Sequence, residues 1–114
     1  MTLTDKTGSP VSVVREDGAF GIVVDGNVAG RTYFVDRDSQ RVFFHTEVDA
    51  EYGGRGLATT VIAEALAATR SKGLRIVPVC PTVTKFVTAH PEFSDVVDKP
   101  TREIMAWLRS TVDR

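Results

Sequence analysis

The chain has 114 residues, 42% hydrophobic and 25% charged, with a formal net charge of −1. This length and composition predict one folded domain, residues 1–114, and the near-neutral charge argues against nucleic acid or an anionic membrane as partner. No apolar run approaches the roughly 20 residues that a membrane span needs. Because the polar N-terminus also lacks the apolar core of a signal peptide, we expect a cytoplasmic protein.

Four extended runs are predicted in the first half of the chain, after a polar start over residues 1–10 that we expect to be loose. Their β-branched and aromatic residues favour strands. A hairpin signal, Asp25-Gly26-Asn27, joins the second run to the third. The runs are Val11–Glu16, Phe20–Asp25, Val28–Val35 and Arg41–Asp49.

The fourth run has a regular alternation that predicts its two faces. One face would carry Val42, Phe44, Thr46 and Val48, and the other Phe43, His45 and Glu47. His45 and Glu47 are therefore expected to project from the same side, one pleat apart.

A glycine-rich loop, Gly53-Gly54-Arg55-Gly56-Leu57-Ala58, separates the fourth run from an Ala-rich helical run that ends at Lys72-Gly73. The first N–H groups of a helix lack internal partners, the helix dipole favours an anion, and glycine lets a ligand approach the backbone. The loop therefore predicts a pyrophosphate cradle, with an ordinary surface turn as the alternative. It lacks the Gly-Lys-Ser/Thr ending of a nucleotide P-loop and the glycine spacing of a dinucleotide-binding loop.

The second half of the chain predicts one more strand and two helices. Leu74–Val79 should lie parallel to the fourth strand, because a helix connects the two. It ends at Cys80-Pro81, where the helix Thr82–Ala89 begins, and Pro100-Thr101 opens a last helix. The whole pattern predicts an α+β fold within the broader α/β class, a mixed and mostly antiparallel sheet with packed helices.

This order of elements resembles the GNAT superfamily of acyl-CoA-dependent N-acetyltransferases, in a minimal version. The loop of that superfamily reads Arg/Gln-x-x-Gly-x-Gly/Ala. Gly56 and Ala58 match it, whereas Gly53 stands where the pattern has Arg or Gln. Backbone contacts to a phosphate do not need the missing side chain.

Four blocks in the same order also resemble the small single-domain GNAT-like subfamily often called YjdJ-type. They are His45-Thr46-Glu47-Val48, the glycine loop, Pro78-Val79-Cys80 and His90-Pro91-Glu92-Phe93. The resemblance covers about Gly18 to Val97. It implies a GNAT-like core over about 11–97, with the C-terminal helix, about 101–113, outside the resemblance.

The resemblance implies that acetyl-CoA or CoA binds as cosubstrate in a splay between the fourth and fifth predicted strands. The implied cofactor contacts follow the end of the fourth strand and the loop: Val48, Gly53, Gly54, Arg55, Gly56, Leu57, Ala58 and Thr59. No metal is expected, because two distant histidines and a single cysteine do not form a ligand set.

The resemblance also places Cys80 near the acyl group, at a helix start that lowers the pKa of a thiol. Cys80 could accept the acyl group covalently, line the site, or be a buried core residue. His45 and Glu47 are the candidate bases that would take a proton from an ammonium substrate. Each could instead be structural, as a hydrogen-bonded histidine of the sheet and a solvated carboxylate at a strand end.

The implied activity is the transfer of an acyl group, acetyl by resemblance, to an amine carried by a small molecule or a protein. Two other functions fit the same residues. One is a non-catalytic acyl-CoA-binding or interaction module, and the other is a thioester hydrolase that depends on Cys80.

Overall fold

The computed structural model describes residues 3–5 and 7–112. Its strands and helices are, in chain order, β1 (Leu3–Thr4), β2 (Pro10–Glu16), β3 (Ala19–Val24), β4 (Asn27–Arg37), β5 (Gln40–Val48), α1 (Leu57–Ser71), β6 (Arg75–Pro78), α2 (Pro81–Ala89) and α3 (Arg102–Val112). Short 3₁₀ helices, Ala50–Tyr52 and Pro91–Val96, precede α1 and α3.

The strands form one sheet in the chain order β1 to β6. Neighbouring strands are antiparallel except β5 and β6, which are parallel because α1 crosses between them. This confirms the predicted α+β fold, with its mixed and mostly antiparallel sheet and packed helices. No helix in the described part of the chain is long and apolar enough to span a membrane.

The start of the chain is more ordered than its polar sequence predicted. Residues 3–4 pair with the start of β2. The buried Asp5 carboxylate accepts hydrogen bonds from the hydroxyl and N–H of Thr7 and from the N–H of Ser9, and these donors hold its pKa below the usual range. The expected loose start is therefore wrong for residues 3–5 and 7–10, because the turn supplies its own donors to a carboxylate. Residues 1, 2 and 6 lie outside the described residues.

The main core lies between α1, α2 and one face of the sheet, which we call the helix face. Apolar residues of α1 at helical spacing pack there against the large side chains of β3, β4 and β5. The buried members from these elements are Leu57, Val61, Ile62, Ala65, Leu66, Phe20, Ile22, Phe34 and Phe43. The predicted apolar stripe of α1 thus covers the sheet.

A second, smaller core lies on the opposite face, which we call the α3 face. Ile104 and Leu108 of α3 bury Val42 and Val77 there. Trp107 is only half-buried, and the guanidinium of Arg37 lies over its ring, 5.6 Å from the centroid. α3 therefore covers the part of the sheet where β5 and β6 are paired.

A β-bulge at Phe44 interrupts the alternation of β5. Phe34 of β4 pairs with Phe43, but the preceding Tyr33 pairs with His45, so Phe44 has no partner in β4. One extra residue shifts the side-chain period by one. The predicted faces of β5 are therefore wrong beyond the bulge.

Beyond the bulge, Thr46 and Val48 lie on the helix face, where Thr46 faces the buried Thr32. His45 and Glu47 lie on the α3 face, opposite Phe43 rather than beside it. That His45 and Glu47 share one side of the strand is confirmed, since their side chains contact each other.

The pairing of β5 with β6 ends early. It covers Gln40–Phe43 and Arg75–Pro78, after which the N–H groups of Val79 and Cys80 both donate to the carbonyl oxygen of Phe43. β5 continues to Val48, while the chain after β6 turns into α2. A gap therefore opens along the edge of β5 at the end where α1 and α2 begin.

We predict that Gly30→Ala destabilises the fold by about 1–3 kcal/mol. A Cβ at Gly30 would lie 2.7 Å from the carbonyl oxygen of Glu47, a backbone atom that cannot move without distorting β5. Urea unfolding followed by circular dichroism measures the effect.

Gly21→Ala is the matched control, because Gly21 is also a strand glycine without a positive φ. Its Cβ would meet the flexible carboxylate of Glu16 at 3.1 Å, so we expect a change of about 1 kcal/mol or less. Equal stability of the two variants would contradict the proposed close approach of β4 and β5.

Candidate active site

The glycine loop adopts the backbone conformation that its sequence permits. Gly54 and Gly56 have φ angles of 79° and 75°, in the left-handed region that favours glycine. Gly56 is the N-cap of α1, and no side chain caps the helix there. The loop thus ends in an uncapped helix start at the edge of the sheet.

The N–H groups from Gly54 to Thr59 have no hydrogen-bond acceptor among the described residues. The first N–H bonded at the start of α1 is that of Thr60, which donates to the carbonyl oxygen of Gly56 at 3.1 Å. Consecutive free donors at a helix start, reinforced by the helix dipole, favour an anion. This geometry fits the diphosphate of a coenzyme.

Arg55 is held beside the loop by two contacts that the sequence did not indicate. Its Nη1 lies 3.4 Å from a carboxylate oxygen of Asp5, whose side chain is fully buried, and its guanidinium lies over the ring of Tyr52 at 5.3 Å. A cavity of about 410 Å³ lies between Asp5, Arg55 and the first turn of α1. The charge of Arg55 is therefore already paired with a buried carboxylate.

Cys80 lies at the end of β6 as the N-cap of α2, and it is only 3% exposed. Its Sγ is 3.5 Å from Oγ1 of Thr46, which in turn lies 2.9 Å from Oγ1 of Thr32. Burial raises the pKa of the Cys80 thiol, but donors outweigh it and the pKa lies below its ordinary value. These donors are the hydroxyl groups of Thr46 and Thr82 and the N–H groups of Val83 and Thr82, which favour the thiolate without forming a standard helix cap.

His45 and Glu47 are exposed on the α3 face, where Tyr33 joins them. His45 Nε2 lies 3.3 Å from one oxygen of Glu47, and the Tyr33 hydroxyl donates to the other at 3.0 Å. The rings of Tyr33 and His45 stack with centroids 5.7 Å apart. Hydrogen bonds from Tyr33 and then His45 lower the pKa of Glu47, so this carboxylate stays ionised and is a weak base.

The structure brings the predicted site residues to one edge of the sheet but places them on both faces. The free N–H groups and Cys80 lie on the helix face, and His45 and Glu47 lie across β5 from them, with no hydrogen bond to Cys80 among the described residues. Leu57 and Val48 pack into the core, so only their backbone can face a ligand. The gap along β5 is the place from which both groups can be reached.

Three residues of the site were missed by sequence reasoning. The predicted alternation of β5 placed Thr46 on the wrong face, because it did not include the bulge. Asp5 was missed because it is far from Arg55 in the chain. Tyr33 was missed because the register set by the turn between β4 and β5 would pair it with Phe44, and only the bulge pairs it with His45. Within residues 3–5 and 7–112, no group of three or more metal-binding side chains occurs.

Comparisons with known proteins agree with this geometry. A sequence model of the GCN5-related N-acetyl-transferase family matches residues 19–96. The fold is similar to the NMR solution structure of a GCN5-like protein from Staphylococcus aureus, with a TM-score of 0.62 at 18% identity, over 80% of this chain and 91% of the other. No curated protein sequence matches the chain. The expected GNAT-like fold is confirmed, and the narrower YjdJ-type subfamily stays a prediction.

We predict that Thr46→Val raises the pKa of Cys80, because the hydroxyl that stabilises the thiolate is lost. The wild-type pKa should lie below that of an ordinary cysteine. The ultraviolet absorbance of the thiolate, taken as a difference from Cys80→Ser, reports the titration.

Thr46→Ser keeps a hydroxyl at the same position and should restore the wild-type titration. If Thr46→Val titrates like the wild type, the contact between Thr46 and Cys80 does not control the thiol.

Proposed function

The chain belongs to the GCN5-related N-acetyltransferase family, and on that premise we propose that it binds acetyl-CoA and transfers the acetyl group to an amine. The observation that carries the proposal is the run of free N–H groups from Gly54 to Thr59. They form an anion site at a helix start with no side-chain cap. A hydrogen bond from each N–H to a charged phosphate contributes about 1.5–3 kcal/mol before ordering costs.

The acyl end of the bound molecule lies in the gap along β5. This placement is supported by the early end of the β5–β6 pairing, after which β5 continues from Phe44 to Val48 without a strand partner on its β6 side. Extended chains bind to free strand edges by hydrogen bonds to the backbone. Cys80 borders this gap from the helix face and His45 borders it from the α3 face.

His45 is the proton acceptor in this proposal, and Glu47 orients it. Hydrogen bonds from Tyr33 and His45 lower the pKa of Glu47, which makes Glu47 the poorer base of the two. The imidazole is suited to the task because an ordinary histidine exchanges its proton near neutral pH. Tyr33 supports both side chains, through its ring and through its hydroxyl.

The proposed reaction is nucleophilic acyl transfer. The ammonium acceptor loses a proton to His45, and the nitrogen lone pair attacks the thioester carbonyl carbon. A C–N bond forms, the C–S bond breaks, and CoA leaves as a thiolate that takes up the second proton lost by the nitrogen. If Cys80 takes part covalently, its thiolate first displaces CoA, and the amine then displaces Cys80 from the acyl group.

Two measurements distinguish a covalent role of Cys80 from a role in lining the site. A covalent route leaves one acetyl group on Cys80 after acetyl-CoA treatment, visible by intact mass spectrometry, and Cys80→Ala then abolishes transfer. If Cys80 only lines the site, no acetyl adduct forms and Cys80→Ala retains part of the transfer activity. Cys80-dependent release of acetate that no amine accelerates would instead indicate a thioester hydrolase.

We predict that Gly54→Asp weakens CoA binding at least about tenfold relative to Gly54→Asn. Gly54 has a φ of 79° and open space around its Cβ position. Asn and Asp tolerate this backbone equally and have the same shape, so the pair differs in charge alone. A carboxylate at the anion site repels a diphosphate.

Isothermal titration calorimetry with acetyl-CoA, CoA and desulfo-CoA measures the effect. All three ligands carry the diphosphate, so all three should discriminate between the variants. Equal affinity of the two variants would rule out the loop as the diphosphate site. Binding without CoA release against a broad amine panel would reduce the protein to a binding module.

We predict that His45→Gln lowers kcat by about 100-fold or more, because the proposed proton acceptor is lost and Glu47 is the poorer base. Release of free CoA with the best amine of the panel provides the assay.

Asp38→Asn, in the turn between β4 and β5, is the control and should keep the wild-type kcat. An unchanged kcat in His45→Gln would show that another group accepts the proton.

A further inference from the structure

A cleft of about 270 Å³ lies between α1 and α2, on the side of α1 away from Asp5. It is lined by Thr59 and Ile62 of α1 and by Thr82, Lys85, Phe86, Ala89 and His90 on the α2 side. Thr59 belongs both to this cleft and to the run of free N–H groups. One end of the cleft therefore begins at the proposed diphosphate site.

Both helices direct their positive ends to the same edge of the sheet. α1 follows the end of β5 and α2 follows the end of β6, and these two strands are parallel. The N-terminal ends of α1 and α2 therefore lie side by side, and their dipoles add at the mouth of the cleft.

The cleft carries a cation that has no anionic partner. Lys85 is exposed and forms no ion pair or side-chain hydrogen bond with the described residues. Arg55 on the other side of the loop is already paired with the buried Asp5. Of these two basic groups flanking the diphosphate site, Lys85 is therefore the one available to a second phosphate.

The cleft also offers a flat aromatic surface. The ring of His90 stacks on Phe86 with centroids 4.0 Å apart and an angle of 18° between the planes. Phe86 is buried, whereas the side chain of His90 is 39% exposed. A planar base can stack on such a pair.

We propose that this cleft binds the 3′-phosphoadenosine end of CoA and that Lys85 contacts the 3′-phosphate. The inference rests on the proposed function, since it takes the diphosphate to lie at the start of α1. Thr82 of the first turn of α2 and Lys85 one turn later line the same cleft as Thr59 of the proposed diphosphate site. The 3′-phosphate and the diphosphate are carried by the same ribose, so a diphosphate held beside Thr59 would bring the 3′-phosphate into this cleft.

The site makes Lys85 a specificity residue for the phosphorylated ribose. Diphosphate binding by backbone N–H groups does not distinguish CoA from dephospho-CoA, because both carry it. A lysine in the cleft adds a charge-assisted hydrogen bond that only CoA can accept.

The test compares the affinities of CoA and dephospho-CoA by isothermal titration calorimetry. We expect the wild type to bind CoA about tenfold more tightly, the size of one hydrogen bond to a charged group. In Lys85→Met the CoA affinity should fall to that of dephospho-CoA, while the dephospho-CoA affinity stays the same. Lys72→Met, which removes an exposed lysine at the far end of α1, should keep the tenfold difference.

The results distinguish a failure of this inference from a failure of the proposed function. A preference for CoA that survives in Lys85→Met, or no preference in the wild type, overturns the assignment of the cleft and leaves the proposed function intact. Equal weakening of both ligands in Lys85→Met also overturns it, since the lysine would then act on a shared group. A wild type that binds neither ligand overturns the proposed function and this inference together.

Discussion

The candidate site depends on a helix start whose N–H groups have no acceptor within residues 3–5 and 7–112. The N–H groups from Gly54 to Thr59 face an edge of the sheet, because α1 must begin there to cross from β5 to the parallel β6. The left-handed glycines allow the chain to turn into the helix without a capping side chain. Free N–H donors at a helix start favour an anion, because the helix dipole adds to their partial positive charge.

The bulge at Phe44 determines which side chains of β5 lie on each face of the sheet. Without it, Thr46 would share a face with Val42, under α3, and would not reach Cys80. With it, one strand supplies a hydroxyl to the thiol on the helix face and a histidine–carboxylate pair on the other face. A single inserted residue thereby places the Thr46 hydroxyl on one face of β5 and the His45–Glu47 pair on the other.

The two basic side chains near the glycine loop differ in their partners. Arg55 is paired with Asp5, from the segment before β2, whereas Lys85 has no ion pair with the described residues. The family match begins at residue 19, whereas Asp5 comes from the preceding residues and compensates Arg55. The cleft between α1 and α2 keeps its positive character, from two helix starts and Lys85. α3, also outside the match, covers the paired part of β5 and β6 and leaves His45 exposed beyond it.

Local patterns in the sequence determined β2 to β6, the helices and the glycine loop of this protein. Period-two runs, helical apolar stripes and glycines act on neighbouring residues, so strands, α1 and the loop could be predicted from residues close in the chain. The crossover rule then made β5 and β6 parallel. The tertiary structure alone decided the face of Thr46, the burial of Asp5 against Arg55 and the placement of Lys85 beside Thr59. These depend on a strand register and on contacts between distant segments, which are set by packing of the whole fold rather than by local preference.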